Sequence, residues 1–175
     1  MPEIKNEPRT RKNPLITALR EQMEHRALWL YLLTDEAKKA GIDPAAFAPS
    51  AIARNGIFSG NNLLKKAGTD SLKGLQKATF HYFARLIFDM EILDCTDDRL
   101  DIDFHYCPLL EAWQKQGCDA ETCGKLCDWA MCGDHEIAKQ FGALLHLESA
   151  IAHGSDACRL RFRKESAKVS DLTDQ

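Results

Sequence analysis

The spacing of apolar residues changes partway along the chain, and that change limits the fold more than any other feature. From Leu15 they recur as Leu15, Leu19, Met23, Ala27, Leu30, Leu33 and Ala37, in steps of three and four that lay one stripe along a helix. Leu72, Leu75, Thr79, Phe83, Leu86 and Met90 repeat that rhythm behind a cap at Thr69 or Asp70. Leu100 to Cys107 then alternates apolar with polar, as on a half-buried strand, with Glu91 to Thr96 as its hairpin partner. Leu144 to Lys164 holds two further alternating runs, divided at His153-Gly154-Ser155-Asp156, which read as a second hairpin. The order predicts an α+β domain: an N-terminal helical layer packed on an antiparallel sheet of about four strands, with helices inserted between the hairpins.

Punctuation residues refine this outline. Gly41 ends the first helix, Asp43-Pro44 opens a short second one, and the glycines of Ala48 to Leu64 suggest short helices and turns. Pro108 stops the strand and starts a helix over Leu109 to Gln116, closed by Gly117. Asp119 caps a longer helix through Cys123, Cys127 and Met131 that Gly133 either breaks or leaves to run on to Phe141. Residues 1–175 fit one domain, with 1–14 and 165–175 expected as flexible tails.

A net charge of −3 from mixed acidic and basic residues leaves no electrostatic footprint for nucleic acid or an anionic membrane. Charges interrupt every apolar run, and the first fourteen residues lack the apolar core of a secretory signal, so a soluble, cytoplasmic protein is expected. Seven cysteines then read as reduced thiols rather than a disulfide framework. Five of them fall between Cys107 and Cys132, so metal binding, catalysis or packing must account for them.

Period two puts Asp101, Asp103, His105 and Cys107 on one strand face, and Cys107 also falls at the N-cap of the helix opened by Pro108. A thiol at a helix start beside an imidazole is a minimal nucleophilic pair; the alternative is an inert, buried Cys107. On an ideal helix Cys123, Cys127 and Asp134 fall within roughly 40° of each other, either facing one pocket or serving as small core residues and a cap. The spacings among Cys118, Cys123, Cys127 and Cys132 contain no C-x-x-C. A metal site assembled from Cys107, Cys127, Cys158 and a carboxylate or histidine stays open on spacing alone. Glu24-His25-Arg26 reads as a pocket wall or a solvated face, Asp156 as a turn former, and Arg159, Arg161 and Arg163 as an exposed strand face or a carboxylate site.

Three stretches carry a family resemblance: Phe104 to Trp113, Leu126 to Asp134, and Ile151 to Phe162. A cysteine ending a strand, a second cysteine seven residues before an aspartate, and a G-x-D-x-C-x-x-x-F hairpin match Cys107, Cys127, Asp134, Gly154, Asp156, Cys158 and Phe162. Together they resemble the L-2-amino-thiazoline-4-carboxylic acid hydrolase family; Glu24 to Gly41 and Asn55 to Gly60 are similar to members from anaerobic bacteria. The resemblance implies hydrolytic opening of a small, cysteine-derived thiazoline-type ring at its C=N carbon, with a small molecule as substrate and no nucleic acid or membrane as partner. Cys107, His105, Asp134, Cys127 and Cys158 are the implied site. Either Cys107 attacks while His105 or Asp134 moves protons, or Cys107, Cys127 and Cys158 hold a divalent metal such as zinc that activates water. The rival is a non-enzymatic sensor or carrier that uses the same three cysteines for a small ligand or metal.

Overall fold

A computed structural model describes residues 4–9 and 13–164. Helix α1 runs over Pro14–Lys39, a single 3-10 turn over Pro44–Ala46, α2 over Ala48–Ala67, α3 over Leu72–Thr79 and α4 over Tyr82–Ile87. Strands β1 (Met90–Cys95) and β2 (Arg99–Phe104) follow, then α5 (Pro108–Lys115), α6 (Ala120–Gln140), β3 (Ala143–Ser149), a 3-10 turn at Ile151–His153, and β4 (Cys158–Lys164). The sheet is antiparallel in the order β1-β2-β4-β3, so the two hairpins join through β2 and β4. The α+β expectation of a helical layer on a four-stranded antiparallel sheet is met.

Alternation on the strands explains how the sheet is coated. Leu100 pairs with Phe162 and Ile102 with Leu160, and this face is buried against Leu72, Leu75, Phe80 and Phe141. The opposite face carries Arg161 on Asp103 at 2.8 Å and Arg163 on Asp101. The arginine row is therefore engaged by the aspartates of β2. A second packing cluster joins Ala27 of α1, Leu110 and Trp113 of α5, Cys123 and Leu126 of α6, and Ile151.

Three expectations change. Ala48–Ala67 is one continuous helix, not short pieces, because its glycines serve packing: a Cβ on Gly56 would lie 2.4 Å from the Gly133 carbonyl oxygen, and one on Gly60 would meet Gln140 at 2.6 Å. Gly133 likewise sits inside an unbroken α6. The stripe from Leu72 to Met90 is interrupted at Phe80, whose ring lies 6.3 Å from that of Phe104 and 6.2 Å from that of Phe162, so core packing overrides the helical period. The expected N-terminal tail is partly docked: Ile4 accepts from Gln114 Nε2 at 2.9 Å, and Asn6 is only 8% exposed. The expected tail at 165–175 lies outside the described residues.

Candidate functional site

Cys107 is the N-cap of α5, in extended backbone just before Pro108, and is half-buried. Two neighbours hold this turn. Asn6 Oδ1 accepts from the Cys107 N–H and Asn6 Nδ2 donates to the Cys107 carbonyl, each at 2.9 Å. The preceding Tyr106 is buried under the Arg20 guanidinium, 4.5 Å from its ring centroid, while Arg20 also pairs with Asp89 at 3.3 Å and donates to the Ile87 carbonyl at 2.8 Å.

A cavity of about 280 Å³ opens beside this turn. Cys107, Cys127 and Cys158 all line it, and so does Asp134, delivered by three pieces of chain: the α5 cap, the start of β4, and α6, which carries Cys127 and, two turns further on, Asp134. Cys158 is fixed by the Ile151 N–H, which donates to its sulfur at 3.3 Å. The rest of the wall is mainly apolar, with Phe80, Phe88, Phe104, Met131 and Leu160 prominent. Thr79 also borders the cavity, but its Oγ1 is buried without a hydrogen-bond partner among the described residues. A groove of about 430 Å³ between α1, α2 and α6 adjoins the cavity, sharing with it Arg26, Leu109, Ala130, Asp134 and Ile137. Asn55 and Ser59 supply further polar groups to the groove.

Burial sets the electrostatics. It pushes the Cys107 thiol up to about 12, helped by the Cys158 sulfur, while the Leu109 and Leu110 amides at the helix start pull less strongly the other way. Cys127 is raised by burial and by the Cys107 and Cys158 sulfurs beside it, and Cys158 by burial against the Ile151 amide. At neutral pH the three sulfurs are thiols. Desolvation lifts the Asp134 carboxyl to about 6, with Arg26 opposing it, so this acid changes charge near neutrality.

His105 is not brought to this group. The strand ends at Phe104, so period two does not carry on to Cys107, and the His105 ring lies 3.4 Å from Glu91 rather than along the cavity. Asp101 and Asp103 face the arginines on the outer side of the sheet. The metal alternative also lacks its geometry: among the described residues, no group of three or more His, Cys, Asp or Glu is arranged to hold an ion. The cysteines outside the pattern lie elsewhere. Cys123 is in the core, Cys118 is beside Tyr31, and Cys132 donates to the Asp128 carbonyl on the same helix. Asp156 binds Arg159 at 3.0 Å. Glu24-His25-Arg26 divides: Glu24 pairs with Lys115, His25 packs edge-on against Trp29, and Arg26 alone reaches the cavity. Reasoning from sequence missed Asn6 altogether; no local pattern flags an asparagine 101 residues from its partner.

No helix among the described residues is long and apolar enough to cross a membrane. In overall shape the chain is similar to a trafficking protein particle complex subunit 3 from Naegleria fowleri, solved covalently bound to palmitic acid. The TM-score is 0.54 at 12% identity, with 82% of this chain and 95% of that one covered, a likeness of fold. No curated protein matches significantly. The model of one family, described as L-2-amino-thiazoline-4-carboxylic acid hydrolase, matches residues 20–162.

Proposed function

Since the chain belongs to the L-2-amino-thiazoline-4-carboxylic acid hydrolase family, we propose that it is a hydrolase that opens a small thiazoline-type ring in the cavity beside Cys107. The observation that carries this reading is the convergence of Cys107, Cys127, Cys158 and Asp134, scattered over about 50 residues of sequence, on one cavity. A packing role alone gives no reason for a half-buried carboxyl group to share a cavity with three sulfurs and to have no salt-bridge partner within contact distance among the described residues.

The chemistry follows from the charge states. The ring carbon between nitrogen and sulfur is electrophilic, and attack on it needs a base to free the nucleophile and an acid for the departing groups. Asp134, ionised above about pH 6, takes the proton of the Cys107 thiol as the sulfur adds to that carbon and passes the same proton to the ring nitrogen. The ring carbon–sulfur bond then breaks as Asp134 relays that proton from the nitrogen to the departing sulfur, which leaves as a thiol with a thioimidate held on Cys107. A water molecule replaces Cys107 on the carbon, so one water is consumed and a carbamoyl- or acyl-type cysteine is released. Cys107 stays a thiol until substrate arrives, so its high proton affinity guards it against adventitious alkylation and oxidation.

The test is turnover of a thiazoline-4-carboxylate panel followed by thiol release. Cys107→Ser and Asp134→Asn, each confirmed as folded, should lose about 10²-fold or more in kcat/KM. Full activity in a folded Cys107→Ser protein would remove the nucleophile role.

A second reading is a non-enzymatic carrier of an apolar ligand. The apolar cavity wall favours it, as does the fold shared with a protein solved covalently bound to palmitic acid. Ligand retention without turnover would distinguish it.

A further inference from the structure

A carboxylate substrate meets a charge problem in this site. Asp134 borders both the cavity and the groove, so an anion entering beside it when it is ionised is repelled unless a cation stands near. The arginines of β4 do not supply one: Arg161 and Arg163 pair with Asp103 and Asp101 on the outer face of the sheet. Arg20 lies against Asp89 and the Tyr106 ring. Among the described residues, Arg26 is the one cationic side chain that lines either space, and it lines both.

Arg26 is exposed on α1 and forms no hydrogen bond or ion pair among the described residues. Its neighbours on the helix are engaged, Glu24 by Lys115 at 2.6 Å and His25 by the Trp29 Nε1–H at 2.9 Å. The Arg26 charge is nonetheless felt at Asp134, where it opposes the effect of burial. The guanidinium thus stands at the junction of cavity and groove with its N–H donors open.

The α2 wall of the groove presents Asn55 and Ser59, one turn apart. The close approach of Gly56 to Gly133 seats this part of α2 on α6, which sets Asn55 and Asp134 on the same groove. Neither the Asn55 nor the Ser59 side chain has a hydrogen-bond partner among the described residues, whereas Asn61 of the same helix donates to the Ile57 carbonyl at 2.9 Å. A guanidinium, an amide and a hydroxyl, all unengaged, are the N–H and O–H donors that a carboxylate takes.

Resting on the hydrolase reading above, we infer that Arg26 binds the carboxylate of the substrate and so selects which rings are turned over, with Asn55 and Ser59 as neutral donors beside it. Held there, the acid group lies at the junction and the ring reaches inward to Cys107. The selection acts on the charge of the ring and not on the substituent of its reactive carbon, which faces the inner end, where Thr79 stands with Phe80, Phe88 and Phe104. The carboxylate takes no part in bond breaking and stays on the product. Its contact with Arg26 is therefore equal in ground and transition states, and appears in KM rather than in kcat.

The experiment measures kcat and KM with the full chain for 2-amino- and 2-methyl-thiazoline-4-carboxylate and for the matching 4-carboxamides, reading thiol release. The parent should favour each acid over its amide by about 10²-fold in kcat/KM. Arg26→Gln should raise KM for the acids about 10- to 100-fold, leave kcat within about threefold and bring the acid-to-amide ratio near unity, while Arg26→Lys keeps part of the preference. Asn55→Ala and Ser59→Ala should each raise KM for the acids about three- to tenfold; an unchanged KM in both would overturn the part given to α2. Since Arg26 is exposed and unpaired, Arg26→Gln should melt with the parent. Calorimetry with thiazolidine-4-carboxylate, whose saturated ring has no C=N to attack, reads the same contact without turnover: its affinity should fall in Arg26→Gln, and that of thiazolidine-4-carboxamide should not. An Arg26→Gln protein with the parent's acid-to-amide ratio and the parent's affinity for thiazolidine-4-carboxylate would overturn the inference and leave the hydrolase reading intact. If no ring is turned over, the hydrolase reading falls and calorimetry decides alone: acid binding that depends on Arg26 upholds the carboxylate site, and binding indifferent to Arg26, or none, overturns it as well.

Discussion

The side-chain amide of Asn6 meets both backbone groups of Cys107, accepting from its N–H and donating to its carbonyl at 2.9 Å each. A single planar amide thereby satisfies the two polar groups of the cap residue where β2 has ended and α5 has yet to supply its own ladder. The first described residues of the chain are thus part of the candidate site, reaching across 101 positions to hold the backbone that carries Cys107.

Asn6→Ala should lower unfolding free energy by about 1–3 kcal/mol, since it leaves half-buried backbone groups without partners. Asn6→Asp should fall between, since it can accept but not donate. Urea titration measures the first effect. A drop in kcat/KM larger than the stability loss explains would show that the amide aims the thiol as well as bracing the turn.

Asp134 gives a dated signature in pH. Its folded value of about 6 lies above the ordinary 3.8, so the folded protein holds this proton more tightly than the unfolded chain. The associated stability is present in full below about pH 4 and lost as pH rises to about 6, a decline of up to about 3 kcal/mol. Asp134→Asn should abolish this slope and be the more stable protein at pH 7. Activity should run the opposite way in the parent, rising to half its plateau near pH 6 as the base ionises. Flat stability between pH 4 and 6.5 would contradict the burial of this carboxyl.

Alkylation should rank the cysteines by burial. With Cys107 pushed up to about 12 and Cys127 raised further, both should label slowly with iodoacetamide at pH 8 in the free protein. Cys95, Cys118 and Cys132, in more open surroundings, should label first; peptide mass spectrometry over time resolves the order. Rapid, selective labelling of Cys107 would mean a thiolate that this geometry does not provide.

Gly56→Ala should destabilise the fold by about 1–3 kcal/mol or more, because the new methyl meets backbone at Gly133 rather than a movable side chain. Gly68→Ala is a useful comparison: its positive φ brings strain, but nothing lies within 4 Å of a Cβ there. The two separate close helix packing from backbone conformation, and thermal melting distinguishes them. Only Gly56→Ala should also disturb ligand binding, since Gly56 lines the groove.

The strands and their pairings were legible because alternation is a local signal: Leu100, Ile102, Leu160 and Phe162 declare the buried face within their own segments. The helix of Gly56 and Gly60 was not, because its glycines answer to Gly133 and Gln140, far along the chain. Of the site, Cys107, Cys127, Cys158 and Asp134 were found through the family pattern, and the structure places them on one cavity. His105 was assigned by carrying the strand's period past the point where the strand stops. Arg26 was half seen; Glu24 turns to Lys115 through the packing of α1 on α5, and His25 turns to Trp29 one turn along its own helix. Asn6 and the two-part character of the cavity depend on long-range placement and leave no trace in spacing.

Cys158 packs against both hydrophobic clusters, so the cavity it borders lies along the seam where two cores meet. Each core lends residues to the wall of that cavity, and a bound molecule would add contacts to both of them. Occupancy and cohesion of the domain are then one equilibrium. The melting temperature should climb with the logarithm of ligand concentration, and a cell depleted of that ligand should hold a looser, shorter-lived population of this protein.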